Sequence, residues 1–351
     1  SIIRTFNVDP VALIEADSLS DNEVIDGFRG GKFARETSIL SNILDELWCA
    51  REQAKSENDK IWSNAIKIIM NSFYGVLGSS GCRFYDTKLA SSITMRGHWI
   101  LNQSKQWFEN KGLEVIYGDT DSIFVSFNNA EHLFGQQKEL EKELNIWWQQ
   151  KLEDEFSIKS KLEIEFETHF SPFFMPTIRG AESGSKKRYA GIKRNGEHSE
   201  LVFKGLESVR SDWTELAKRF QTELFTLVFS NKDCSEYIVS VLNDLRNGLL
   251  DEQLIYRKRI KRKLEHYVKT TPPHVKAARI ANSEASHQIY YKGVNIEYVI
   301  TVHGPRVNTL QKSPINYQHY IDKQLFPIAE SILSEYSPNM LNYFVQQLTL
   351  L

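Results

Sequence analysis

The run Tyr-Gly-Asp-Thr-Asp-Ser at residues 117–122 places two carboxylates, Asp119 and Asp121, two positions apart. It lies between the apolar runs Leu113–Tyr117 and Ile123–Phe127, a pattern that predicts a β-hairpin with acids at its tip. In extended backbone, residues i and i+2 point to the same side. Both carboxylates can then face one hard cation such as Mg²⁺, which takes oxygen ligands. A tip of that kind suits phosphoryl transfer, in which a divalent ion stabilises charge on the reacting oxygens. Acids are also ordinary turn residues that hydrogen-bond their own backbone, so the pair alone leaves both readings open.

Basic groups are spaced as a polyphosphate site would need. Lys67, Asn71 and Tyr74 fall at i, i+4 and i+7, one face of a helix, and Arg51 and Lys55 fall at i, i+4 on the helix before it. Three cations on two paired helices can converge on a triphosphate where water is excluded, although solvated surface charge is the plainer account of any one of them. Residues 184–191, GSKKRYAG, set Lys186, Lys187 and Arg188 at the mouth of a predicted strand, with Tyr189 available for packing. The run FKGLESVRSDW, residues 203–213, adds Lys204 and Arg210. Contact with backbone phosphates is the functional reading of both runs, and solubility is the alternative.

The elements that must position these residues follow from apolar spacing. Thr37 to Lys55 reads as a helix with Ile39, Leu40, Ile43, Leu44 and Leu47 on one side. After the polar break SENDK, residues 56–60, a second helix runs from about Ile61 to Phe73, so the two make an antiparallel pair. Leu89 to Phe108 is helical and leads into the acidic hairpin. Leu133, Leu140, Leu144, Trp147, Trp148 and Leu152 recur at helical spacing within an acid-rich stretch, Glu131 to Phe156, the signature of an amphipathic helix. Short β-like runs come next, Leu162–Phe166, Arg188–Ile192 and Leu201–Phe203. From Asp212 onward the pattern is mainly helical, broken at Thr271–Pro273 and by a β-like patch, Tyr290 to Val302, while Ser1 to about Ser20 reads as a short apolar start and a loop.

Composition narrows the class. With 351 residues and 41% apolar side chains, the chain is long enough for two or three domains with real cores. No apolar run reaches membrane-spanning length, and the first residues lack the charged-then-apolar pattern of a signal peptide, so a soluble, cytoplasmic protein without a membrane partner is expected. Cys49, Cys82 and Cys234 are odd in number and far apart, which argues for reduced, mostly buried thiols rather than disulfides or zinc. The net charge of −2 hides a segregation: between Leu254 and Arg279 stand nine Lys or Arg against one acid, Glu265. Such a cluster is an electrostatic footprint for phosphates. No phosphate loop of the G-x-x-x-x-G-K-[ST] type, no H-E-x-x-H and no G-x-S-x-G occurs, and the nine histidines show no ligand spacing, so zinc chemistry and serine nucleophiles are not expected.

Taken in order, KIIMNSFYG (67–75), YGDTDS (117–122) and KKRYAG (186–191) resemble three motifs of the family B DNA polymerases. The wider text, including TIRGAESGSKKRYAG, FKGLESVRSDW and YRKRIKRKLEHY followed by PPHVKAAR, is similar to the C-terminal half of bacterial members of that family, and the resemblance runs along essentially the whole chain. It implies an α+β fold in which a palm sheet with flanking helices carries the acids, between helical-hairpin fingers and a mainly helical thumb. The implied division is 1–20 as the start of the palm, 21–78 fingers, 79–215 palm and 216–351 thumb. The implied activity is template-directed addition of deoxynucleotides to a primer 3′ end with two Mg²⁺ ions. In that scheme Asp121 is the direct metal ligand and Asp119 assists. Lys67, with Arg51 and Lys55, binds the incoming triphosphate, and Asn71 and Tyr74 pack at the nascent base pair. Lys186, Lys187, Arg188 and Tyr189 hold the primer strand near its end. Lys204 and Arg210 keep the reading already given, DNA binding through backbone phosphates. The basic segment with Arg257, Lys258, Arg259, Lys261 and Arg262 grips the duplex without sequence readout. Gln347, Leu348, Leu350 and Leu351, in the last five residues, resemble the short peptide by which bacterial polymerases bind the sliding clamp. A cytoplasmic, nucleoid-associated location goes with that assignment.

The family's first catalytic aspartate belongs to a motif ending in SLYPSII, and this chain opens on Ser1-Ile2-Ile3. The expectation is therefore a C-terminal half whose partner carries that aspartate, the sugar-screening tyrosine and the 3′–5′ exonuclease, and which polymerises poorly alone because a two-metal site needs carboxylates from both motifs. The position matches one used by inteins, whose downstream piece begins with a residue such as Ser. A non-catalytic DNA-binding or clamp-binding module is the rival reading, and an RNA-copying polymerase is disfavoured because KxxxNSxYG together with GDTDS fits the DNA-copying family better.

Overall fold

The apolar start of the chain, residues 2–6, forms a short helix that leads into irregular backbone. In the computed structural model, which describes residues 1–14, 20, 23–36, 38–127, 135–176, 185–195, 198–310 and 312–346, α1 (Ile2–Phe6) buries Ile3 and Phe6 and ends on a left-handed Asn7. The chain divides into two compact units, Ser1–Glu167 and Thr168–Leu351.

In the first unit, β1 (Leu13–Ile14), β2 (Val24–Asp26) and β3 (Lys32–Ala34) form a small antiparallel sheet in the order β1-β3-β2. The helical pair follows as α2 (Leu40–Ser56) and α3 (Lys60–Leu77), packed on each other across a three-residue break. No side chain of its own caps α2. The buried carboxylate of Asp9 takes that role from a distance, accepting from the backbone N–H of Ile39 at 2.7 Å and Leu40 at 2.5 Å, and of Val11 at 2.8 Å. Asp59 caps α3 by accepting from Trp62 N at 2.9 Å. Leu40 and Leu44 are buried and Leu47 packs on the same core, whereas Ile39 and Ile43, expected on that face, are exposed. The i, i+4, i+7 stripe is narrower than five apolar residues, and the two isoleucines fall to one side of it. Helix α3 also runs beyond Phe73 to Leu77.

Helix α4 (Thr87–Asn110) reaches a turn at Lys111–Gly112, where Gly112 has φ +80°, and the chain returns as β4 (Glu114–Asp119) and β5 (Ser122–Ser126). Helix α5 (Gln137–Phe156) buries Leu140, Leu144, Trp148 and Leu152, four residues apart each time, as its pattern predicts; Leu133 lies outside the described residues. Around Trp148, the rings of Phe6, Trp99 and Phe156 meet edge to face. The guanidinium of Arg96 sits 4.2–5.1 Å from the rings of Phe6, Phe28, Trp99 and Phe156, and burial pushes its pKa down to about 10.

The expected strand Leu162–Phe166 does not form. Its sequence alternates, but its backbone is satisfied by side chains of α5: Ile164 N–H donates to Asn145 Oδ1 at 3.0 Å, Phe166 N–H to Glu141 Oε2 at 2.8 Å, and Asn145 Nδ2 donates to the Ile164 carbonyl at 2.8 Å. Period-2 patterning selects extended backbone, not a ladder partner.

The second unit opens with an antiparallel sheet of β6 (Phe170–Phe174), β7 (Tyr189–Asn195) and β8 (His198–Lys204), in that order. It continues through α6 (Glu215–Phe229) and α7 (Ser235–Arg246) to β9 (Tyr256–Arg259), α8 (Pro273–Glu284), β10 (Asn295–Thr301) and β11 (Gly304–Val307). The second sheet has the order β11-β10-β9. Helix α9 (Tyr317–Tyr320), a π-helical turn (Ile321–Leu325), α10 (Phe326–Tyr336) and α11 (Asn342–Gln346) complete it. The core runs through Phe220, Phe225, Ile238, Leu245, Leu254, Ile296, Tyr320 and Leu325.

Two further expectations are corrected. The start of the basic segment is a strand rather than a helix, because Tyr256, Lys258 and Ile260 face inward or are half-buried while Arg257 and Arg259 are exposed, and Arg259 pairs with Asn295 of β10. Of the cysteines only Cys234 is buried, Cys82 being intermediate and Cys49 exposed. Among the described residues no helix is long and apolar enough to cross a membrane.

Candidate functional site

Asp119 is the last residue of β4 and pairs with Ser122, so Thr120 and Asp121 are the two turn residues of the hairpin. Two-residue hairpin turns need a positive φ at their first central position, usually from Gly. Here that conformation falls on a β-branched residue, Thr120, with φ +54°. The turn is tight: Asp121 N–H donates to the Asp119 carbonyl at 2.6 Å, and Thr120 Oγ1 donates to Asp119 Oδ1 at 3.1 Å. The two carboxylates therefore share one tip, but not as successive same-side residues of a strand. Asp119 is half-buried and Asp121 exposed. The base of the hairpin is held by Leu113 and Leu140, with Trp107, Phe108, Val125 and Phe127 packed against them.

Helix α4 contacts both this hairpin and α3. Tyr74 Oη lies 2.9 Å from Thr94 Oγ1, which ties α3 to α4. Lys67 and Asn71 are exposed on the face that carries Tyr74. On α2, Arg51 and Lys55 flank the ring of Trp48 at 5.8 and 6.0 Å from its centre, and Lys55 pairs with Glu52 at 2.6 Å.

In the second unit, Lys186 and Lys187 form an exposed turn just before β7. Arg188 is ion-paired with Glu207, which is buried and also accepts from Gln221 Nε2 at 2.7 Å. Tyr189 is half-buried against Phe170 and Phe173, and Lys204, opposite it on β8, is exposed. Arg210 is bidentate on Asp212, at 3.0 Å from Nε and 2.8 Å from Nη2, and Lys258 approaches the same carboxylate at 3.4 Å. The Arg210 hydrogen bonds hold the Asp212 carboxyl down to about 2. Arg257 pairs with Glu297 at 2.8 Å and Arg259 donates to the Gly293 carbonyl at 3.0 Å, while Lys261 and Arg262 are exposed. Gln347, Leu348, Leu350 and Leu351 lie outside the described residues.

Glu207 and Asp212 were missed as members of these clusters. The signal was present, since both acids are interleaved with the bases of FKGLESVRSDW. Among the described residues no group of three or more His, Cys, Asp or Glu converges as a metal site. The donor set at the hairpin still fits Mg²⁺, which keeps several waters and is commonly held by one or two carboxylates together with substrate phosphates.

Comparison with known proteins identifies the family. The family model for DNA polymerase family B matches residues 2–336. The chain is 46% identical over its whole length to DNA polymerase II of Escherichia coli K12, of which it spans 46%. It is 28% identical, over 95% of its length, to a DNA polymerase of Thermococcus gorgonarius, spanning 43% of it. A solved structure of the family B DNA polymerase from Pyrobaculum calidifontis aligns with a TM-score of 0.64 and 25% identity, covering 94% of this chain and 43% of that one. The chain thus spans under half the length of these relatives. With the family model running along nearly all of it, the chain belongs to DNA polymerase family B.

Proposed function

We propose that this chain supplies the fingers, most of the palm and the thumb of a template-directed DNA polymerase that adds deoxynucleotides to a primer 3′ end. In this reading residues 21–78 are the fingers, 1–20 and 79–215 the palm, and 216–351 the thumb. The observation that carries it is the tight hairpin tip bearing Asp119 and Asp121, in a chain of this family. Two Mg²⁺ ions, when bound, would stabilise the attacking and leaving oxygens. Asp121, exposed at the turn, is the direct ligand, and Asp119 assists from the end of β4. Lys67, Arg51 and Lys55 bind the triphosphate of the incoming nucleotide, with Asn71 and Tyr74 beside its base. Lys186, Lys187, Arg188, Tyr189, Lys204 and Arg210 form the DNA-binding site of the second unit. In it Lys186, Lys187 and Lys204 reach backbone phosphates, and Arg188 and Arg210, paired with Glu207 and Asp212, shape the surface beside them. The basic segment from Arg257 to Arg262 holds the duplex.

Because two carboxylates do not complete a two-metal site, the reading requires a further carboxylate, supplied by a partner segment corresponding to the remainder of the relatives. The test is primer extension by this chain alone and with the N-terminal half of such a polymerase added in trans. Extension only in the mixture, abolished by Asp121→Asn, is the expected result. Extension by the chain alone refutes the need for a partner. No extension in either case favours the second reading, a non-catalytic DNA-binding module, which is motivated by the lack of a third ligand near the tip among the described residues. Clamp binding through Gln347–Leu351 is a separate part of the proposal, tested by loss of clamp capture when residues 347–351 are deleted.

A further inference from the structure

Among the bases of KKRYAG, Arg188 is half-exposed and ion-paired with a buried acid. Its guanidinium meets the buried Glu207 carboxylate, whose other oxygen accepts from Gln221 Nε2 at 2.7 Å, and Gln221 Oε1 accepts from Ser208 N–H at 2.8 Å. The two lysines before it are exposed, and Lys187 has φ +60°, a left-handed conformation that a lysine holds only when its surroundings fix it. Those surroundings are the end of β8. Tyr189 pairs with Lys204, so Arg188 and Lys187 lie beside Gly205 and Leu206. At Gly205, itself at φ +61°, a Cβ would overlap the Lys187 carbonyl oxygen. A backbone approach this close requires glycine.

We propose that Glu207 is a positioning residue: by anchoring Arg188 where Gly205 gives the backbone room, it locks the turn at Lys187 and sets the direction in which Lys186 and Lys187 meet a DNA phosphate. This rests on the polymerase reading. Charge alone predicts the opposite effect, because removing the acid takes a negative charge away from the phosphates and frees an arginine to bind them. Positioning predicts weaker binding.

The experiment measures affinity of the full chain for a primer–template duplex by fluorescence anisotropy over a salt series, for Glu207→Gln, for the pair Lys186→Ala and Lys187→Ala, and for the triple variant, with each melting temperature recorded. The expected result is that Glu207→Gln weakens binding roughly threefold to tenfold with the lysines present and less than about twofold without them, the non-additivity of coupled residues. The slope of log K against log salt should fall by about one for each DNA phosphate that is no longer neutralised. Gly205→Ala should reproduce the weakening by the other route, and it carries the test if Glu207→Gln does not fold. Binding that tightens or stays unchanged in Glu207→Gln overturns the proposal, and so does an equal weakening in both lysine backgrounds, which marks a purely structural role. If the lysine pair has no effect on affinity, the DNA-binding reading of this turn fails and the proposal with it.

Discussion

At the scale of single residues, strain and charge pairing mark where the chain is under demand. Thr120 adopts a left-handed backbone between the two carboxylates, a conformation that glycine would adopt without steric cost. Replacing it with Gly should relieve about 1 kcal/mol of strain and lose a similar amount, about 0.5–1 kcal/mol, to backbone entropy. The melting temperature of Thr120→Gly is therefore expected to change little. Its extension rate in the mixture with the N-terminal half is expected to fall about tenfold, since a misplaced ligand costs rate steeply. A variant that is as active as the parent would show that the strain has no part in the site. Asp212 is a second such position. The Arg210 hydrogen bonds stabilise its ionised form, with its pKa lowered from 3.8 to about 2, so its contribution is present above pH 3.8 and is lost as pH falls through about 2. Asp212→Asn should melt below the parent near neutrality, and the gap should narrow as pH is taken from 3.8 toward 2. A gap that is constant with pH would mean that the ion pair is not its source.

At the scale of elements, the helices were legible and several of the backbone partners were not. Apolar spacing located α2, α3, α4 and α5 to within a few residues, because each buries one stripe and the stripe has the helical period. Leu162–Phe166 and the basic segment failed for a shared reason: what satisfies an extended backbone is set by whatever packs beside it. For the first this is Asn145 and Glu141 on α5, and for the second it is β10. The acidic tip was legible because its residues are contiguous, whereas the Arg188–Glu207 pair joins positions nineteen apart and shows only after folding. The start of α2 makes the same point. Its N–H groups are met by Asp9, thirty residues upstream of Ile39. Asp9→Ala should therefore destabilise the first unit by about 0.5–2 kcal/mol, the range for losing an N-cap. Chemical denaturation followed by helical circular dichroism would measure it, and an unchanged midpoint would show that solvent replaces the cap.

At the scale of the whole molecule, two large buried clusters organise the described residues, beside the small one of Leu113 and Leu140 under the hairpin. One is built from residues between Ile3 and Ile158, and the other from residues between Phe174 and Phe344. Each matches one of the two compact units, and a chain with two cores need not unfold in one step. Trp148 and Leu325 are fully buried, one in each cluster. Truncating either to Ala removes apolar packing and leaves a cavity, at a cost of about 3–5 kcal/mol for the Trp and about 2–5 kcal/mol for the Leu. If the units unfold separately, calorimetry should resolve two transitions, with Trp148→Ala lowering one and Leu325→Ala the other. If either variant lowers both transitions equally, the units share one cooperative core. The distinction bears on function, because the acidic tip belongs to the first unit and the Lys186–Lys187 turn to the second. Duplex DNA that engages both should raise the two transitions together, while a ligand held by the tip alone should raise only the first.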